Sequence, residues 1–321
     1  MRRSVTIHLV GILLACPLVV ASPQSRSQAT KVANYANPIV FVRAHFDEST
    51  GDVIHRGKIW IMDEDGAGLR QLTFGPEYDE HPAFFSERRF VLYSHFNAPS
   101  LDPSRGAKLI RMDTHSGRSE TFAEVPGCAL HHVTISPVDD TLVYQHDCDG
   151  RLSQRVGWGP DSYEIPMLAR NGVGVGKGVI FMHEKNVHLR SEGGPTTERE
   201  VALIHLWGEG REVRARLVTD DEHLHRRPAV SADGQWIAWQ TNASGDDDEI
   251  YLARTDGSEP RNITNNPGLD GHPWFSRDGQ WIVFESDRSG NMEIWKINLA
   301  TLRQEQLTTG GREYRSRTPR W

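Results

Sequence analysis

Three cysteines in 321 residues cannot build a disulfide scaffold, so the chain must fold on a hydrophobic core, and its 37% hydrophobic content is enough for one. Charge of one sign is not in excess. Thirty-six Lys and Arg are interspersed with 43 Asp and Glu for a net charge of −7, which argues against the basic face that nucleic acid requires. The strand-like runs are short, and nothing marks a helical domain. Gly-x-Ser-x-Gly is missing, which argues against an appended serine-hydrolase domain. No glycine loop stands between a strand and a helix to cradle phosphate, and the run Gly172 to Gly178 does not qualify. The apolar run Val5 to Val20 is too short and too early for a membrane anchor.

What is present is a repeat. His272-Pro273-Trp274-Phe275-Ser276 leads into a turn at Asp278-Gly279, then Trp281 to Ser286, a polar loop at Asp287 to Asn291, Glu293 to Ile297, and Gln306-Leu307-Thr308. Each run is short, rich in aromatic and β-branched residues, and bounded by Gly, Pro, Asp or Asn, as in a four-stranded meander. The unit recurs 45 positions upstream (273 − 228), at Arg227-Pro228 to Ile237 with Glu249-Ile250-Tyr251 and Asn262-Ile263-Thr264. Further first strands begin at His81-Pro82 and His132-Val133, and the chain ends Thr318-Pro319-Arg320-Trp321. The anchors at 82, 133, 228, 273 and 319 leave a 95-residue gap that holds two units, so five intervals span 319 − 82 = 237 residues, or 47.4 each.

Units of this length and order are propeller blades. Residues 38–74 hold three strands and lack a first one, which the C-terminal strand supplies. The expected fold is all-β: a six-bladed β-propeller of four-stranded antiparallel blades, residues 38–321, closed by the C-terminal strand joining the N-terminal blade. Residues 150–200, with the glycine run at 172–178, carry no clean blade pattern.

Residues 1–22 read as a signal peptide. Arg2-Arg3 is the basic region, Val5 to Val20 the apolar region and Val19-Val20-Ala21 the cleavage signal. Leu13-Leu14-Ala15-Cys16 also fits a lipoprotein signal that would lipidate Cys16, and both exits remain open. Residues 23–37 are a flexible leader. A periplasmic or extracellular location follows, in an oxidising compartment. Cys128 and Cys148 flank one hairpin centred near Val138-Asp139, almost opposite each other, and a disulfide between them is expected; two unpaired core cysteines are the alternative.

The repeat resembles the TolB-type, WD40-like propeller, on Ser276 to Ile282, Ser286 to Trp295 and Asp63 to Thr73. The resemblance implies the fold over residues 38–321 and little about function. A narrower stretch, His132 to Val143 with His146-Asp147, Gln154-Arg155-Val156 and Trp158, resembles the oligogalacturonate lyases. That resemblance implies β-elimination on acidic sugar with Arg155 as helper, His183 as base and His272 as one metal ligand. Asp270 and Pro267 stand at the other two ligand positions.

Residues just ahead of each first strand should face the central channel: His81, His131 or His132, His225 with Arg227, His272 and Thr318. Imidazoles around one axis can hold a metal or act as bases; alternatively they cap backbone carbonyls between blades. His223-x-His225 offers a two-ligand spacing, with Asp220, Asp221 or Glu222 as an added carboxylate, so the metal candidates are His223, His225 and His272. Asp63-Glu64-Asp65-Gly66 reads as a hairpin turn, and Asp246-Asp247-Asp248 as a solvated tip. No cofactor beyond a divalent metal (Mn, Ca or Zn) is indicated. The function these features point to is a monomeric binding module of the cell envelope, with a protein or peptide partner. A carbohydrate-active lyase on an acidic oligosaccharide is the alternative. Nucleic acid is not expected, and membrane contact only through a lipidated Cys16.

Overall fold

The computed structural model describes residues 35–47, 49–50, 53–159, 162–165, 169–175, 178–184, 201–209, 212–221, 223–245 and 247–321. Residues 1–22, expected to be a signal peptide, with Cys16, and most of the expected leader lie outside them.

The chain runs as successive meanders. The first holds β1 (Ile39–Phe46), β2 (Val53–Met62) and β3 (Arg70–Gln71). The second holds β4 (Tyr78–Phe84), β5 (Phe90–Phe96), β6 (Ala107–Asp113) and β7 (Ser119–Ala123), and the third β8 (Cys128–Ile135), β9 (Leu142–Cys148), β10 (Arg151–Val156) and β11 (Tyr163–Glu164). Then follow β12 (Ala169–Val175), β13 (Gly178–Glu184), β14 (Val201–Glu209) and β15 (Glu212–Leu217). The last two meanders are β16 (His225–Val230), β17 (Trp236–Thr241), β18 (Glu249–Arg254) and β19 (Arg261–Asn262), and β20 (Asp270–Phe275), β21 (Trp281–Ser286), β22 (Glu293–Asn298) and β23 (Gln304–Gln306). Finally β24 (Tyr314–Arg320) returns to pair with β1 in the order β24-β1-β2-β3. Among the described residues the second and third meanders form a single eight-stranded sheet, joined by one parallel bridge between Ala107 and Ala129.

The repeated residues set the turns. Ser276 Oγ accepts the Trp281 N–H at 2.9 Å and donates to Asp278 Oδ1 at 2.6 Å, while Gly279 takes φ +69°. Ser231, Asp233, Gly234 and Trp236 repeat the arrangement, with the corresponding bonds at 3.0 and 2.5 Å and the same φ of +69°. Only glycine adopts that backbone cheaply. The fourth strands are held by threonine: Thr308 Oγ1 accepts the Ile294 N–H at 2.9 Å and donates to Glu293 Oε2 at 2.6 Å, and Thr264 does the same to Ile250 and Glu249. Asp248, expected at a solvated tip, instead takes Arg226 Nη2 at 2.5 Å and Gln240 Nε2 at 2.7 Å. A charged loop end thus ties strands together; Asp246 lies outside the described residues.

The innermost strands touch in a circuit: β4 with β8, β8 with β12, β12 with β16, β16 with β20, β20 with β24, and β24 with β4. The ring closes on the β24–β1 ladder, from Val40 opposite Arg320 to His45 opposite Tyr314. The Arg43 guanidinium lies 4.4 Å from the Tyr314 ring and 5.2 Å from Trp60, and Trp321 is buried.

Each innermost strand also carries one residue too many. Glu80 pairs with Ser94 and Ala83 with Leu92, so His81 and Pro82 together face Tyr93. The same shift sets His132-Val133, Arg227-Pro228 and His272-Pro273 against one residue each, and β12 has it between Arg170 and Val173. These are β-bulges. Their second residue donates nothing to the ladder, so proline is tolerated there. Their first residue is left-handed: φ is +48° at His81, +51° at His132, +54° at Arg227, +48° at His272 and +49° at Thr318. These positions therefore lie inside the first strands, not ahead of them.

Of the glycine run at 172–178, residues 172–175 belong to the inner strand β12 and Gly178 opens β13. A Cβ on Gly174 would stand 2.7 Å from Ser136 Cβ, and one on Gly172 would stand 3.0 Å from Val143 Cγ1. Thr134 Oγ1 donates to the Gly172 carbonyl at 2.6 Å. Glycine lets this strand press against the third meander, which erases the side-chain alternation that reveals strands elsewhere.

Two outcomes follow from this packing. Removing residues 314–321 should lower the melting temperature by about 5 °C or more, because β1 loses its ladder partner and Arg43 its stacking ring; an unchanged melting curve would show that closure does not hold the ring. Gly174→Ala should cost about 1–3 kcal/mol in urea unfolding, since Ser136 Cβ cannot swing aside.

Candidate functional site

The bulges aim their first residues at the axis. There His81, His132, Arg227 and His272, with Thr134 and Arg320, line a cavity of about 10 Å³, the room of a single water. The His81 and His132 rings are 4.0 Å apart, and His81 and His272 are 6.4 Å apart. Imidazoles from three meanders, in two sheets, do converge. His225, expected among them, does not line this cavity, because Arg227 occupies the bulge of its strand and His225 stands two residues earlier. The His225 Nε2 is 2.7 Å from Asp221 Oδ1, and its Nδ1 accepts the Trp239 indole N–H at 3.0 Å.

On one side of the cavity Glu285 organises a charged chain. Its Oε2 accepts the Thr318 backbone N–H at 2.7 Å, and its Oε1 lies 2.8 Å from His272 Nδ1. Arg227 Nη1 donates to His272 Nε2. Burial pushes the Glu285 carboxyl up, but His272, Arg317 and Arg227 outweigh it and hold the group at about 2. Burial and then Arg227 push the His272 imidazole down to about 3. The ring is therefore neutral, and its Nδ1–H faces the carboxylate. Burial and Arg227 also lower Arg320 to about 9.

On the other side stand Glu80, His131 and His132. Glu80 Oε1 is 3.1 Å from His81 Nδ1 and 3.7 Å from His132 Nδ1, and the Nδ1 atoms of His131 and His132 are 2.6 Å apart. Burial raises the Glu80 carboxyl, and burial holds His81 and His132 well below the usual imidazole value.

The metal candidates do not come together as the spacing suggested. The His223 backbone N–H donates to Asp221 Oδ1 at 2.9 Å, bending the chain ahead of β16 and leaving the His223 and His225 rings 6.5 Å apart and nearly perpendicular. Among the described residues, the sets of three metal-capable groups are Glu80, His131 and His132, and Cys128, His146 and Cys148. In the second set Cys128 and Cys148 are joined as a disulfide, with His146 Nε2 3.0 Å from Cys148 Sγ.

The residues expected for lyase chemistry sit elsewhere. Arg155 is on β10, the third strand of its meander, paired with Tyr144 and Glu164 rather than lining the axial cavity. His183 is on β13, opposite Ala169, and its side chain lies outside the described part.

At the axial mouth formed by the first-to-second-strand turns lies a second concavity, of about 70 Å³. Phe85, Ile135, Trp274 and Trp321 line it, with Arg88 and Arg277 at its rim. Arg277 Nη1 donates to the Ser86 carbonyl at 2.8 Å, bringing the two arginines together, and burial followed by Arg277 lowers the Arg88 guanidinium.

Meanders with inner strands in a closed circuit set the architecture, and residues 206–321 match the family model described as PD40, TolB beta propeller domain. The fold is a TolB-type β-propeller. TolB from Acinetobacter baumannii superposes with a TM-score of 0.67 at 15% identity, over 90% of this chain and 67% of that one. Hydrazine synthase of Kuenenia stuttgartiensis superposes at 0.64 with 10% identity, over 90% of this chain and 46% of that one. An oligogalacturonate lyase from Vibrio parahaemolyticus reaches only 0.48 at 14% identity, over 86% and 74%, too loose to carry an argument. None of the curated proteins matches the chain. At 15% and 10% identity the first two show a shared fold alone.

The His272–Glu285 pair sets a pH response with a definite sign. His272 stays neutral in the folded protein down to about 3, whereas the unfolded chain takes up a proton below the ordinary imidazole value, so stability falls as pH drops through that window. The contribution is about 1.4 kcal/mol per pH unit. Glu285 adds stability above the ordinary carboxylate value, lost as pH falls toward about 2. Urea unfolding between pH 7.5 and 4 should show the decline, and His272→Gln should flatten it by about one proton; an equal slope in both proteins would contradict the neutral imidazole.

Proposed function

We propose that this protein is an exported, six-bladed TolB-like binding module of the cell envelope, whose partner is a protein or peptide segment seated in the aromatic axial mouth. The observation that carries the reading is that mouth, with Phe85, Trp274 and Trp321 inside and Arg88 and Arg277 at the rim. At about 70 Å³ it is far smaller than the several-hundred-Å³ clefts that enclose small-molecule ligands. It holds one or two protruding side chains, as an anchor pocket in a protein interface does. Paired arginines favour an acidic segment. Counting each four-strand meander as a blade, with β24 completing the first, supports six blades. Export is supported by the basic-then-apolar stretch Arg2 to Val20 and by the Cys128–Cys148 disulfide, a bond that persists outside reducing compartments.

Fluorescence anisotropy with a panel of labelled peptides tests the reading. Peptides that pair an aromatic or aliphatic residue with acidic neighbours should bind, more weakly at high salt. Basic counterparts should not. Arg88→Glu with Arg277→Glu should abolish binding without lowering the melting temperature by more than about 3 °C. Peptides that bind regardless of charge, or equally well to the double variant, would move the partner surface elsewhere.

A further inference from the structure

We infer that Glu80, His131 and His132 form a binding site for one divalent transition metal, with zinc the best fit, open toward the axial cavity. The three residues follow one another around the ring: Glu80 lies on β4, and His131 and His132 lie on β8, the next inner strand. Their ligand atoms all fall within 4.8 Å of one another. In a tetrahedral site with metal–ligand bonds near 2.0–2.1 Å, neighbouring donors stand roughly 3.3 Å apart. The separations here straddle that value, at 3.7 Å from Glu80 Oε1 to His132 Nδ1 and 2.6 Å between the two histidine Nδ1 atoms. Two imidazoles and a carboxylate are the donor set of a borderline cation.

A second observation points the same way. Glu80 is 4% exposed, and its Oε1 receives no hydrogen bond although two histidine nitrogens approach it. His81, 5% exposed, makes no hydrogen bond through either ring nitrogen, although its Nδ1 stands 3.1 Å from Glu80 Oε1. Buried polar atoms are ordinarily satisfied, and a carboxylate oxygen approached but not bonded by nitrogens marks the place of an ion. The left-handed bulge at His132 supplies the geometry, since it turns two consecutive side chains of one strand toward the same neighbour, where a regular strand would send them to opposite faces. The fourth coordination position faces the cavity of about 10 Å³, which admits a water. Arg227 and Arg320 also border that cavity. Glu285 offsets one of their two charges, and the positive remainder suits a metal whose remaining ligand is water or an anion.

The test uses the full protein purified without chelator and without reductant, so that the disulfide keeps Cys128 and Cys148 from serving as ligands. Elemental analysis and titration with zinc chloride should find one zinc per chain, with a rise in melting temperature that grows with zinc concentration. Cobalt(II) chloride should develop the visible absorption of a four-coordinate nitrogen and oxygen site. Glu80→Gln and His132→Asn, each checked for folding by circular dichroism, should weaken zinc binding by roughly tenfold or more, while His223→Ala should not. Three results would overturn the proposal: no metal and no thermal shift with zinc, cobalt or manganese; wild-type affinity in both site variants; or zinc lost with His146→Ala instead, which would place it beside the cysteines. The peptide assay at the aromatic mouth, lined by other residues, is scored separately, so failure of either reading leaves the other standing.

Discussion

One extra residue per inner strand shapes the axis of this molecule. A regular strand sends alternate side chains to its two faces, and none along its length toward the hub. The bulge breaks that rule at one height on strand after strand. It forces a non-glycine residue into left-handed backbone at His81, His132, Arg227, His272 and Thr318. Such backbone costs about 1–3 kcal/mol at each position, a cost the ladders and the apolar packing around them sustain. Threonine, β-branched, is among the least suited residues to that conformation, yet Thr318 holds it, with its N–H on Glu285. The polar hub, the proline after most bulge residues and the convergence of distant histidines all follow from this departure.

Much of this was legible in the sequence. The Ser-x-Asp-Gly-x-Trp turns and the terminal threonines are local devices, and local chemistry reads directly from sequence. Closure was legible by subtraction, from an N-terminal blade short of one strand and a C-terminal strand without a blade. The His-Pro pairs marked the axial positions but were placed ahead of the strands, because a proline looks like a strand boundary until the bulge shows that its missing N–H is harmless there. That misplacement drew His225 into the channel beside Arg227, which alone of the two is the counterpart of His81 and His272.

The glycine-rich strand and the Glu80–His131–His132 group were harder to see, for different reasons. Periodicity reports side chains, and β12 works by having none at Gly172 and Gly174, where Val143 and Ser136 fill the space. Glu80 went unremarked because the residue before a bulge gains meaning only once the next inner strand lies beside it. Arg155 and His183 were placed by likeness to another propeller, and a likeness of short stretches does not fix where a strand sits in the radial order of its blade. The fold and the site thus answer to separate constraints: the first is written in repeats, the second in the few positions where the repeats differ.

The single parallel bridge between Ala107 and Ala129 has a mechanical consequence. It welds two neighbouring meanders into one plate from Tyr78 to Glu164, further tied by Phe96, which packs with both alanines. The wheel is therefore unevenly stiff. One broad sector resists bending, and compliance is left to the remaining seams, which among the described residues no strand bridge crosses and which rest on side-chain packing and isolated backbone bonds such as Asp270 N–H to the Asp248 carbonyl at 2.8 Å. The three donor groups of the axial site lie within the rigid sector, Glu80 on one half and both histidines on the other. Glu80 and both histidines are thus held to one plate, while Arg227 and Arg320 reach the hub from sheets outside it.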